Sequence, residues 1–217
     1  MARATILLLV PMITSAVIVD RIAVVAGDKV ITESEIEQRI RLAAFQNHEK
    51  PDLSLASRRH AAQELIDQRL IDREMDVGHY SRVDASRRKA LLDDYAKSEH
   101  TDAAGLSREL SGYGLTPTDL EEDLGRQADL LTFLNLRFRP AVEVTDQDIQ
   151  KYFDTVSNGA GKAQQQAQAG ALNELRDQIA LKLTTERADK EMDLWLQDQR
   201  KRTRIEFLEK DLETNTP

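Results

Sequence analysis

Residues 20–40 read DRIAVVAGDKVITESEIEQRI, and this stretch decides how the rest of the chain is read. Two β-branched, apolar runs, residues 22–25 and 30–31, flank Gly27-Asp28-Lys29, a turn cluster whose glycine tolerates positive φ. The pattern predicts a β-hairpin. Thr32-Glu33-Ser34-Glu35 follows at once and has the form of a capping box, with the Thr32 hydroxyl facing the N3 amide and Glu35 reaching back. Ile36 and Ile40 then begin a helical stripe. Two strands therefore feed straight into a helix. A two-stranded hairpin is at best marginally stable alone, so another part of the chain must pair with it or pack on it.

Working outward, the periodicity predicts helices over residues 33–46 and 54–77, with Gly78 as a C′ residue. Leu65, Ile66, Leu70, Ile71 and Met75 cover more than one stripe of the second helix, which places it near the centre. Asp84 caps a third helix to about residue 98, and a shorter one spans residues 103–110 before Gly112-Tyr113-Gly114. Thr116-Pro117-Thr118-Asp119 is a helix start with a Thr cap, Pro at N1 and an acid at N3. It opens a helix carrying Leu120, Leu124, Ala128, Leu131, Leu134 and Phe138 inward and stopping before Pro140. Thr145-Asp146-Gln147-Asp148 starts a short helix with Ile149, Tyr152 and Phe153. Residues 157–170, SNGAGKAQQQAQAG, hold no large apolar side chain and read as a flexible linker or a frayed helix extension. A long amphipathic helix then runs to about residue 201. Residues 203–208 read as a strand and 211–217 as a loose tail. That late strand is the expected partner of the opening hairpin. The fold class is thus mainly α: a helical lobe with a small sheet formed by the N-terminal hairpin and the C-terminal strand.

The opening stretch resembles the start of the mature SurA-type periplasmic chaperones. The resemblance continues in AQELIDQRLI (residues 62–71), VTDQDIQKYF (144–153) and DLWLQDQRKRTRIEF (193–207), in the same order. It implies a SurA N-domain-like lobe in which the N-terminal region and the final helix and strand combine. Many such proteins carry parvulin-type prolyl isomerase domains between the short helix and the long final one. Here residues 157–170 occupy that place, and fourteen polar residues cannot build an isomerase core. The parvulin glycine-rich signatures and histidines have no match there, so the resemblance implies the chaperone module without isomerase activity.

Residues 1–16 have the form of a leader: a short positive start with Arg3, an apolar run from Ala4, and small residues Thr14-Ser15-Ala16. Cleavage after Ala16 and a periplasmic location are expected, an uncleaved anchor or an ordinary buried strand being the alternatives. The apolar run is short for a bilayer span and is interrupted by Pro11. The domain reading is a leader over 1–16, a helical region over 17–156, the linker over 157–170, and a helix and strand over 171–210 completing the same domain. The chain of 217 residues has a formal charge of −8, or −9 without Arg3. That balance disfavours nucleic acid, whose phosphates require a basic surface. With no cysteine, thiolate catalysis and disulfides are excluded.

No catalytic constellation emerges, so no enzyme activity, metal or cofactor is expected. His48, His60, His79 and His100 are scattered without a ligand spacing. Asp93-Asp94 and Glu121-Glu122-Asp123 read as solvated helix faces, because adjacent residues point to different sides. The run Arg200-Lys201-Arg202 with Arg204 reads as cations at a helix C-terminus. The expected function is an ATP-independent holdase that binds unfolded or nascent envelope and outer-membrane proteins. Leu42, Phe45, Leu106, Tyr113 and Leu115, at helix ends or near glycine breaks, are the candidates for a client-binding groove. The alternative is a non-catalytic assembly subunit that binds one folded partner or forms a homodimer.

Overall fold

The computed structural model describes residues 20–157 and 162–213, with side-chain surroundings given outside residues 157–174. The expected leader and the last four residues lie outside the described part. The order is β1 (Ile22–Ala26), β2 (Lys29–Thr32), α1 (Glu33–Gln46), α2 (Leu55–Val77), α3 (Ala85–Ser98), α4 (Ala103–Gly112), α5 (Pro117–Arg137), α6 (Asp146–Ser157), α7 (Lys162–Arg202) and β3 (Ile205–Phe207). Single 3-10 turns stand at Arg139–Ala141 and Lys210–Leu212. The fold is mainly α with one small antiparallel sheet, as the sequence pattern predicts.

The sheet order is β2-β1-β3. Gly27 and Asp28 form the two-residue hairpin loop, since Ala26 pairs with Lys29. Gly27 has φ +65 and Asp28 does not share the positive φ, the pattern of a type II′ turn. The Gly27 N–H donates to the Arg204 carbonyl at 2.9 Å, so the turn is tied to the far end of the chain. Val24, Val25 and Ala26 pair with Phe207, Glu206 and Ile205. The hairpin hands over to α1 through the predicted box: Glu35 N–H donates to the Thr32 hydroxyl at 3.3 Å, and Thr32 N–H donates to the Glu35 carboxylate at 3.0 Å. Thr116 and Asp119 form the same arrangement at the start of α5.

Two apolar clusters follow. The larger one joins the inner face of the sheet, α2, the end of α5 and the C-terminal half of α7. Its aromatic centre packs Tyr80, Phe138 and Trp195 edge-on around the fully buried Phe133, with ring centroids 5.2 to 5.6 Å from it. The smaller one joins the end of α1 with α3, α4 and the start of α5. Helices α1 and α5 run through both: Ile36 and Ile40 serve the first, Leu42 and Phe45 the second.

Several readings are corrected. Residues 162–170 are the first turns of α7 rather than part of a linker. The frayed-extension alternative is the one that fits, because Ala, Gln and Lys are good helix formers despite the low complexity. The 41-residue α7 is roughly 60 Å long. The tail is not loose at its start: Leu212, in the turn after β3, is fully buried in the larger cluster. Arg58 grips Glu209 through one nitrogen at 2.8 Å to both oxygens, and Arg59 Nε donates to the Asp211 carbonyl at 2.6 Å. Leu131, expected inward on α5, is 59% exposed, and Phe133 takes the interior.

Gly78 is the C-cap of α2 with φ −80, and the left-handed position falls on His79. His48 after α1 and His100 after α3 share it, with φ 55 and 54, and Gly114 takes it after α4. At all four ends the paired backbone bonds of a Schellman motif form, for example Tyr80 N–H to the Met75 carbonyl at 2.9 Å and His79 N–H to the Asp76 carbonyl at 3.3 Å. Three of the four histidines thus serve as helix stops.

Leu212→Ala should therefore destabilise the protein by about 2 to 5 kcal/mol, the range for a buried leucine. Urea denaturation measures this. A change within about 0.5 kcal/mol would show that the C-terminal turn does not close the core.

Candidate functional site

The five candidate groove residues do come together, but with one another. Leu42, Phe45, Leu106 and Leu115 are buried in the smaller cluster, and half-buried Tyr113 packs against them. Phe45 meets the Tyr113 ring edge-on at 5.4 Å and the Tyr95 ring at 6.1 Å. Their placement at helix ends suggested uncovered surface. Instead the Schellman turns fold the chain back, so that α1, α3, α4 and α5 cover each other's ends. Among the described residues this group packs as a small core.

A cleft with a largely apolar lining lies elsewhere, where α2, α5 and α7 meet. It encloses about 340 Å³. One adaptable apolar side chain comes from each helix: Met75 from α2, Leu130 from α5 and Met192 from α7. Ile71 and Leu196 complete the floor. Met75 is buried in the core beneath, whereas Leu130 and Met192 are only partly covered. Thioether and leucine side chains can repack around irregular apolar groups.

A charged rim stands over this floor. Asp123, only 3% exposed, is its fixed point. One carboxylate oxygen accepts from Arg39 Nη1 at 3.3 Å and Arg126 Nη2 at 3.2 Å. The other accepts from Gln46 Nε2 at 3.1 Å and Gln127 Nε2 at 2.7 Å. Arg39 also donates from Nε to Glu64 at 2.8 Å, so one guanidinium holds α1, α2 and α5 together. Asp129, the second buried acid, accepts the Val83 N–H at 2.7 Å, with Arg82 3.8 Å away. On the α7 side Arg200 forks onto Asp67 at 2.6 and 2.5 Å. Burial pushes the Asp67 carboxyl up, with Asp193 and Glu64 adding to the rise and the Arg200 contact offsetting part of it. Far from the cleft, Arg187 and the Thr145 amide hold the Asp148 carboxyl well below the usual range and dock α6 on α7.

The sequence reading missed this site. It took Asp123 as part of a solvated face, which holds for Glu122 but not for Asp123. The available signal was an acid on the same face as Leu120 and Leu124, inside the apolar stripe of α5. Asp93 and Asp94 are surface acids as expected, paired with Lys89 and Lys97 at 3.0 Å. Two of the three C-terminal cations of α7 are likewise paired, Arg200 with Asp67 and Arg202 with Asp198. Among the described residues no group of three or more His, Asp or Glu side chains is arranged to hold a metal ion, and no helix is long and apolar enough to cross a membrane.

The sequence matches no protein-family model, and comparison with curated proteins finds no match.

The contrast between the two kinds of acid is measurable. Asp123→Ala strands Arg39 and two amides around a buried position and should cost about 3 kcal/mol. Asp93→Ala breaks one exposed pair and should change stability by less than about 0.5 kcal/mol. Equal effects in denaturant titrations would contradict the structural role given to Asp123.

Proposed function

We propose that this protein is an ATP-independent holdase for unfolded or nascent envelope and outer-membrane proteins, without prolyl isomerase activity. In this reading it is exported to the periplasm through its N-terminal leader and is akin to the SurA-type chaperones. The observation that carries the reading is the cleft between α2, α5 and α7, with its adaptable apolar floor and charged rim.

The cleft is at the small end of ligand pockets, with room for one or two large apolar side chains. A site of that size binds an exposed segment of an unfolded chain and rejects a folded surface, which presents no free anchor. Anchoring by so few atoms is weak and reversible, as a holdase without an energy-driven release step requires. Mass action then does the work: each bound segment lowers the free concentration of unfolded chain that can aggregate. The resemblance of residues 20–40, 62–71, 144–153 and 193–207 to SurA-type chaperones points the same way.

The test is light scattering of two unrelated denatured proteins, one of them an outer-membrane barrel, diluted with and without the protein. Suppression of both near equimolar ratio is expected. Leu130→Arg, at a partly buried position on the cleft wall, should lose most of the suppression, with a melting curve checking that the fold is kept. Absence of suppression with either client would reject the holdase reading. Binding confined to one folded partner would favour an assembly subunit. Full activity of Leu130→Arg would place the client site outside this cleft.

A further inference from the structure

The rim of the cleft is unbalanced in charge. Six acids line it, Glu64, Asp67, Asp72, Asp123, Asp129 and Asp193, against two bases, Arg39 and Arg126. Both bases are already committed, Arg39 to Glu64 and Asp123 and Arg126 to Asp123. Two more arginines stand just outside. Arg82 is shared by Asp72, Asp76 and Asp129, and Arg200 is taken by Asp67. Each cation therefore meets at least one carboxylate, and an excess of acid remains. Asp193, exposed on α7 one residue from Met192, makes no ion pair among the described residues. Its charge contributes to the raised pKa of Asp67. The negative potential thus lies beside the apolar floor.

We infer that the cleft selects polypeptide segments in which a large apolar residue is flanked by Lys or Arg. The apolar side chain enters between Leu130 and Met192, and the neighbouring cation stands over Asp193 and the outer rim. This deepens the holdase reading and rests on it. The charge complementarity has two effects. It favours cationic-apolar segments over anionic ones of equal hydrophobicity. It also makes capture depend on ionic strength, because the rim is open to solvent and its field is screened within about 8 Å at physiological salt.

The experiment uses the full chain and three fluorescent peptides with the same Leu-Phe-Leu centre, flanked by Lys, Gln or Glu, with binding read by anisotropy. At about 0.02 M salt the Lys peptide should bind about fivefold tighter than the Glu peptide, the size expected of two partly screened surface contacts. In about 0.5 M salt that preference should collapse. Asp193→Asn should cut the Lys-over-Glu preference by about half, whereas the remote Asp94→Asn should alter nothing. Melting curves confirm that both variants are folded. Equal affinity for the three peptides, no binding of any of them, or a preference untouched by Asp193→Asn would overturn the inference. Suppression of aggregation in that same preparation would show that the holdase reading survives without it.

Discussion

Strand β1 is the constraint on which the rest of the structure depends. It pairs with β2 on one side and with β3 on the other, so it joins residues separated by most of the chain. A hairpin alone would not persist in water, and a three-residue strand such as β3 would persist even less. Each becomes stable only because the other is present and because α2 covers the sheet. Gly27 donating to Arg204, Leu208 donating to Ala23, and Leu212 plugging the core make the closure specific. The result fixes the last turns of α7: β3 follows directly at their end, and Trp195, about two turns earlier, packs on Phe133.

The helices between those ends are arranged by one polar node and two apolar clusters. Arg39 touches α2 through Glu64 and α5 through Asp123, so the angle between α1, α2 and α5 is set by charge-assisted bonds as well as by packing. A node of this kind is costly to bury, and it need not add net stability over apolar residues of the same volume. Its effect here is geometric. It keeps polar side chains at the place where α2, α5 and α7 diverge. Leu130 and Met192 therefore stay partly uncovered, and the cleft remains open.

Much of the fold was legible in the sequence because its signals are local. The hairpin glycine, the Thr32 and Thr116 boxes and the Asp84 cap each occupy a few residues and fix where an element starts. The three-stranded sheet could be inferred because a lone hairpin needs a partner and only one late stretch could supply it. What was not legible depends on which face of a helix meets which neighbour. Periodicity along α5 put Leu131 inside and Asp123 outside, whereas α5 packs on α1, α3, α4 and α7 at different points, so its buried face turns along its length. The five apolar residues near glycine breaks looked uncovered for a related reason. Sequence shows that a helix stops, but not that the chain doubles back to bury its end. The histidines show no ligand spacing in the sequence, while the backbones of His48, His79 and His100 carry the left-handed stops that make the doubling back possible.

The most direct measurement of the central claim, that unfolded segments engage the α2–α5–α7 cleft, is site-specific photo-crosslinking to a denatured client. A photoreactive side chain placed at Gln127 or at Asp193 lies on the cleft rim, and one at Leu181 lies on an exposed apolar position away from it. Strong client adducts from the two rim positions and few from Leu181 are the predicted result. Equal yields from all three, or yields concentrated at Leu181, would contradict the account.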